Sequence, residues 1–225
     1  MVRKLTALFA LVLSLGLAVV PAAGQSVSTD DASSIGMESG YMRVYMADPS
    51  TATAETEVMG VMVAGFEFDE ASTAEDSFED FTCGFAGGFM GAEDATDCDG
   101  LADAGFEVND VDGIGDQAIE VTGEADISGP TPVTMLAVQS ENYLYVVITL
   151  GTDEAGASDD FAKFIANAEP SDAEVELHED GTSTGGFYDM LPQEGDAELE
   201  GLMPVSDMDF LGTSEPAEAD STPAN

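Results

Sequence analysis

The feature that most constrains this chain is its shortage of cations. Its 46 Asp and Glu stand against 4 Lys and Arg. Two of those four, Arg3 and Lys4, lie at the extreme N-terminus, so the rest of the chain sets Arg43 and Lys163 against all of the acids. A fold built from such a chain must rest on apolar burial rather than ion pairs, while its carboxylates repel one another more in the compact state than in the expanded one. With a formal net charge of −42, nucleic acid and anionic membrane surfaces are excluded as partners, because both are bound through cationic patches. Phosphate chemistry lacks the Arg and Lys that would hold its substrates. Cations acting as counterions are the expected company of this surface. It suits saline surroundings, where the screening length falls from ~10 Å at 0.1 M salt to ~3 Å at 1 M; an ordinary low-pI secreted protein kept soluble by its surface charge is the alternative. At 44% apolar residues the chain can still form a core, so it reads as a folded domain with appendages.

Residues 1–24 read as a cleaved signal peptide. Met1-Val2-Arg3-Lys4 is basic, Leu5 to Val20 is apolar, and Pro21-Ala22-Ala23-Gly24 supplies a break and the small residues of a cut before Gln25. The apolar run falls short of the ~20 residues of a spanning helix. No Cys follows it, so the expectation is a secreted or extracytoplasmic protein that is not a lipoprotein. Cys83 and Cys98 are the only cysteines, and in an oxidising compartment an even count predicts a disulfide.

Along the chain, residues 25–39 are small, polar and acidic, as in a flexible leader. Tyr41 to Met46 predicts a first strand. Val58 to Phe68 is apolar on both alternating faces until Glu67, the pattern of a strand covered on both sides. Ser72 and Glu75 have capping-box spacing for a helix start. Phe78, Phe81, Phe85 and Phe89 then recur on one helical stripe, which reads as core rather than as a ligand platform. Gly84, Gly87, Gly88 and Gly91 predict fraying of that helix's second half. After Gly105 come short strands: Phe106 to Val108, Gln117 to Gly123, Val133 to Val138 and Tyr143 to Leu150, the last two joined by a hairpin at Ser140–Asn142. A second helix opens at Ser158 with Phe161, Phe164, Ile165 and Ala168 on one face, and Pro170 ends it. The α+β domain is thus expected over residues 40–170. An acidic extension with short docking segments follows over 171–211, and a disordered tail over 212–225.

Few residues invite chemistry. His178, the only His, lies in an acidic stretch and reads as solvent-exposed rather than as a catalytic base. A His/Cys zinc site lacks ligands, and the 11 Met fall mostly in apolar runs, as core fillers. Calcium is the one cofactor the composition invites. Asp97 and Asp99 before Gly100, and Asp110 and Asp112 before Gly113, place acids two apart ahead of a glycine. The outer ligand positions of an EF-hand loop are nevertheless Ala95 and Phe106 in one case and Val108 and Ile119 in the other. These four are weak calcium candidates, and no cofactor is expected. A hydrolase using two carboxylates is the competing enzymatic reading, with nothing to select the pair and no Trp to stack a sugar.

The turn Gly115-Asp116-Gln117-Ala118, the paired strands Val133–Val138 and Asn142–Leu150, and the helix Asp159–Ala168 resemble the C-terminal half of secreted bacterial Mog1/PsbP-like domains. With the preceding strand and helix, the resemblance spans roughly residues 57–168. It implies an α/β/α sandwich, in which an antiparallel sheet carries two main helices, and a non-catalytic binding or accessory role. The chain is also similar to uncharacterised secreted proteins of environmental bacteria. The expected function is therefore an exported, soluble, non-enzymatic binding or accessory domain for an extracellular ligand or protein. A calcium-binding surface protein is the third class.

Overall fold

The computed structural model describes residues 36–47, 58–92, 95, 97–126, 129–152, 156–168, 171, 173, 175–178, 182–193, 196, 199 and 201–209. The expected signal peptide, the leader as far as residue 35 and the tail over 212–225 lie outside the described residues.

Val58–Phe68 (β2) forms an interior strand, as a run that is apolar on both faces requires. It pairs antiparallel with β1 (Met37–Ala47) on one side and with β6 (Tyr143–Gly151) on the other. Outward from β6 follow β5 (Pro130–Ser140), β4 (Gln117–Asp126) and β3 (Glu107–Asp110), each pair antiparallel. The predicted hairpin joins β5 to β6 through Glu141 and Asn142. Glu141 takes the left-handed conformation at φ 54, uncommon for a residue with a Cβ. Its N–H donates to Asp116 Oδ2 at 2.9 Å, and Asn142 Nδ2 donates to the Phe68 carbonyl at 3.0 Å. The turn before β4 needs glycine: Gly115 has φ 61, and a Cβ there would lie 2.5 Å from the Gln139 carbonyl oxygen.

Because side chains alternate along a strand, the sheet has two apolar faces, and each is covered. Met62, Ala64 and Phe66 of β2 and Leu144, Val146 and Ile148 of β6 point to α1 (Ala71–Met90) and the short α2 (Cys98–Asp103). Val61, Val63, Tyr145 and Val147 point the other way, to Phe161, Ala162 and Ile165 of α3 (Ala157–Ala166). The fold is α+β, an antiparallel sheet with helices on both faces. The aromatic stripe of α1 packs on the core: Phe78 is buried, and Phe81 and Phe85 meet Phe66 edge to face.

The sequence reading needs correction at four places. The capping box does not form. The helix starts at Ala71, where the Ala74 N–H already donates to the Glu70 carbonyl, so Ser72 lies inside the first turn and its hydroxyl reaches Glu70 Oε2 at 3.4 Å. The glycine-rich half of α1 stays helical to Met90, with Gly91 closing it at φ 82. Gly87 is glycine for space, since a Cβ there would meet the Ala95 carbonyl at 2.6 Å where the connection to α2 crosses the helix. The strand β1 begins at Met37, inside the expected leader. The fourth correction concerns the boundary at residue 170. Leu202–Asp209 (β9) is the seventh strand of the main sheet, antiparallel to β1 at its edge, with Pro204 tolerated because the edge leaves one side unpaired. Glu176–Leu177 (β7) pairs with Ser183–Thr184 (β8) in a separate two-stranded ribbon, not with the sheet.

The predicted Cys83–Cys98 disulfide is present and ties α1 to the first residue of α2. A closed loop of about 15 residues is worth ~3 kcal/mol in the chain-entropy model. It holds together the two helices that cover one face of the sheet.

Candidate functional site

The strands β1, β2 and β6 lie side by side, and their register sets residues in rows on the face shared with α3. One row is Tyr41, Gly65 and Tyr145; the next is Ser39, Glu67 and Tyr143. In the first row the missing side chain is the point. A Cβ on Gly65 would lie 2.2 Å from Cε2 of Phe187, whose ring comes down from the 3-10 turn Gly186–Met190. That ring stacks between its two neighbours, 6.0 Å from Tyr41 at 11° and 5.9 Å from Tyr145 at 19°. Tyr143, in the second row, stacks on Tyr145 in turn, 6.0 Å away at 4°.

In the second row Glu67 is held from both sides. Ser39 Oγ donates to Glu67 Oε2 at 2.9 Å, and the Tyr143 hydroxyl donates to Oε1 at 3.1 Å. Burial, followed by the charge of Glu67 and its hydrogen bond, pushes the Tyr143 phenol well above its ordinary value. The proton therefore stays on the tyrosine. Burial, then the neighbouring Tyr143, Glu141 and Glu67, raises Tyr145 in the same sense. Between the rows a cleft of about 180 Å³ opens, lined by Tyr41, Gly65, Glu67, Tyr143, Ser171 and Phe187 among others. It is smaller than the ~300–1,000 Å³ of pockets that take drug-sized ligands, so it fits a small molecule or the end of a chain.

The segment that supplies Phe187 is anchored by Arg43. Its Nε donates to Asp207 Oδ1 and its Nη2 to Asp207 Oδ2, both at 2.7 Å. The same Nη2 donates to the Ser183 carbonyl at 2.6 Å. The Ser183 N–H donates back to Asp207 Oδ2, and the guanidinium lies 5.2 Å from the centre of the Tyr188 ring. Burial alone would lower the pKa of Arg43, but the hydrogen bond and charge of Asp207 outweigh it and hold it raised. Tyr45, two residues on, donates to the Pro192 carbonyl at 3.1 Å. These contacts close the segment 182–193 over the sheet beside the cleft.

The residues singled out in the sequence lie elsewhere. Asp97 is the N-cap of α2 and accepts from the Gly100 N–H at 2.7 Å, with Asp99 in the first turn. Asp110 ends the edge strand β3, and Asp112 follows in the exposed turn. Among the described residues no group of three or more His, Cys, Asp and Glu comes together as metal ligands would. His178 is exposed, its Nε2 3.0 Å from Thr184 Oγ1. The reading missed Ser39 and Tyr143 as partners of Glu67. Its available signal was an acid inside an otherwise apolar run, which needs a reason to be there.

Fold and site together define an α+β domain with a doubly covered antiparallel sheet and a small aromatic cleft that, among the described residues, holds the carboxylate of Glu67. No known protein family, curated protein or solved structure matches the chain.

Proposed function

We propose that this protein is an exported, non-enzymatic binding or accessory domain that works outside the cytoplasm, and that the cleft beside Glu67 is its binding site. The observation that carries the reading is the composition of the cleft. Among the described residues the cleft is lined by aromatic rings and by the carboxylate of Glu67, fixed by two hydroxyls, which together suit recognition of a small group. The disulfide supports an oxidising compartment. No described helix is long and apolar enough to cross a membrane. The sheet with helices on both faces supports the relation to Mog1/PsbP-like sandwich domains, and the acidic surface supports adaptation to salt.

Two measurements test this. Intact mass of protein recovered outside the cytoplasm should begin at Gln25; finding Met1 retained would remove the cleavage claim, and finding the protein only in the cytoplasm would remove the export claim. Purified protein should turn over no chromogenic ester or glycoside. Hydrolysis that disappears in Glu67→Gln would replace the binding reading with an enzymatic one.

A further inference from the structure

The cleft lies on a boundary between two parts of the chain. Tyr41, Gly65, Glu67 and Tyr143 on one side belong to the sheet, whereas Ser171, Gly186 and Phe187 on the other follow α3 in sequence. The described residues after α3 are bonded to one another. The Gly186 carbonyl accepts from the Ser171 N–H at 3.3 Å, and the Gly186 N–H donates to the Ala173 carbonyl at 3.1 Å. The Gln193 side chain donates to the Tyr188 and Leu191 carbonyls, and β7 pairs with β8. The Ser183 N–H, donating to Asp207, ties this stretch to β9 without passing through the rest of the sheet. Its attachments to the remaining fold concentrate on β1. They are the β9 ladder, the Arg43 contacts, the Tyr45 hydroxyl on the Pro192 carbonyl, and the rings of Phe187 and Tyr188 against Tyr41. As an edge strand β9 has β1 as its one neighbour in the sheet, its ladder shifts register between Val44 and Tyr45, and Met203 is 43% exposed.

We propose that the chain after α3 is a clasp that opens from the sheet as one unit, latched by Arg43, so that the cleft opens and closes with it. This gating rests on the binding reading above and describes how that site is reached. Arg43 donates both to Asp207 of β9 and to the Ser183 carbonyl, so one guanidinium holds the strand and the turn, and both are released together. Opening lifts Phe187 off Gly65 and parts the two walls, so the volume of about 180 Å³ describes the closed form. It exposes Phe187, Tyr188, Met190 and Leu191 together with the rings beneath them. It leaves β2, β6 and β5 paired on both edges and the helices in place on both faces. Less surface is uncovered than in global unfolding, which is the condition for a sub-global opening at lower free energy. A ligand that touches both walls binds the closed form better and holds the clasp shut by that difference.

The test is amide hydrogen exchange of the whole folded chain in urea below the unfolding midpoint. The amides of Ser183, Tyr188 and Leu191 and those that β9 donates to β1 should share one free energy of opening and one urea slope. Both should lie below those of the β5–β6 ladder, and exchange without urea should be at least about a hundredfold faster than in that ladder. Arg43→Met with Asp207→Leu removes the latch, and there the β9 amides and the turn amides should separate into two openings. Exchange of all these amides at the free energy of the β5–β6 ladder would show that the fold opens only as a whole. β9 amides that exchange with no urea dependence would show a frayed edge instead of a clasp. Either result, or separate openings in the unaltered chain, overturns the proposal, and a single opening that persists in the double variant overturns the role of Arg43. Exchange in the unaltered chain decides whether the clasp exists, however well the double variant folds. No ligand enters the measurement, so hydrolysis abolished by Glu67→Gln would end the binding reading and leave these results standing.

Discussion

Arg43 of β1 and Asp207 of β9 face each other directly in the strand register and form a bidentate ion pair whose side chains are 2% and 1% exposed. One of the chain's few cations is thus spent inside the fold, at the joint where the C-terminal strand meets the sheet. Burying two charges is costly unless every donor and lone pair is used. Here the Ser183 carbonyl accepts from Arg43 Nη2 and the Ser183 N–H donates to Asp207 Oδ2, so each partner of the pair gains a further hydrogen bond. Asp207→Ala would leave a guanidinium buried without its counter-charge, and we expect a loss of ~3–5 kcal/mol. Replacing both partners together, as Arg43→Met with Asp207→Leu, should recover most of it. The pair Lys163–Asp159 is the contrast, with side chains 52% and 42% exposed, so Lys163→Ala should cost no more than ~0.5 kcal/mol. Urea titrations of the four proteins check this, and equal losses for Asp207→Ala and Lys163→Ala would refute it.

Gly65 and Phe187 make a second joint between the same two parts of the chain. A methyl group on Gly65 cannot coexist with the ring above it, so Gly65→Ala should expel Phe187 from its stack between Tyr41 and Tyr145. Overpacking of this kind costs ~1–3 kcal/mol, and removing the ring outright as Phe187→Ala ~3–5 kcal/mol. The two losses should not add, because the second change removes what the first collides with. A double-mutant cycle in urea reads this coupling. Additive losses would show that the ring does not occupy the space above Gly65.

These two joints mark where the sequence was legible and where it was not. The β5–β6 hairpin, the doubly buried β2 and the helix α3 were readable because β-branched runs and 3.6-residue periodicity report local structure. β9 was not, because Leu202–Asp209 mixes Pro204 and two acids into a short apolar island, a pattern that makes sense only once Asp207 is known to face Arg43. The site was illegible for the same reason. Ser39, Glu67 and Tyr143 are far apart in the chain and become a row only through the register of three strands. Arg43 and Glu67 did carry a signal, each being a charge inside an apolar run. Such a residue needs a partner that the sequence does not point to.

The tyrosines predict an alkaline limit. Burial above all raises Tyr45, Tyr143 and Tyr145 in the folded state over the ordinary value of 10.0. The folded protein therefore holds these protons more tightly than the unfolded chain. Their contribution is fully present below the unfolded value and is lost as pH rises from about 10 towards the folded values. Stability should be insensitive to these groups at neutral pH and should fall from about pH 10 upward. Tyrosinate absorbance and far-ultraviolet circular dichroism, recorded together, should show most of the ionisation arriving with unfolding. Complete, reversible titration of all 5 Tyr near pH 10 with the dichroism unchanged would contradict the burial of these rings.

The last prediction concerns salt. With Arg43 and Lys163 each paired to one acid, the remaining carboxylates meet one another without cationic relief from the folded domain. Their repulsion is greater in the folded chain than in the expanded one, so it subtracts from stability. Raising NaCl towards 1 M shortens the screening length to ~3 Å and should weaken that repulsion at most surface spacings. For a chain of this size each ~1 kcal/mol regained raises Tm by ~2–4 °C. The buried Arg43–Asp207 pair is shielded from solvent ions and should lose little in return. The choice of denaturant provides an internal control. Guanidinium chloride is itself a salt and screens as it denatures, whereas urea does not. Added NaCl should therefore move the urea midpoint upward and leave the guanidinium midpoint nearly fixed. A urea midpoint or Tm that stays flat or falls as NaCl rises would show that self-repulsion does not limit this fold.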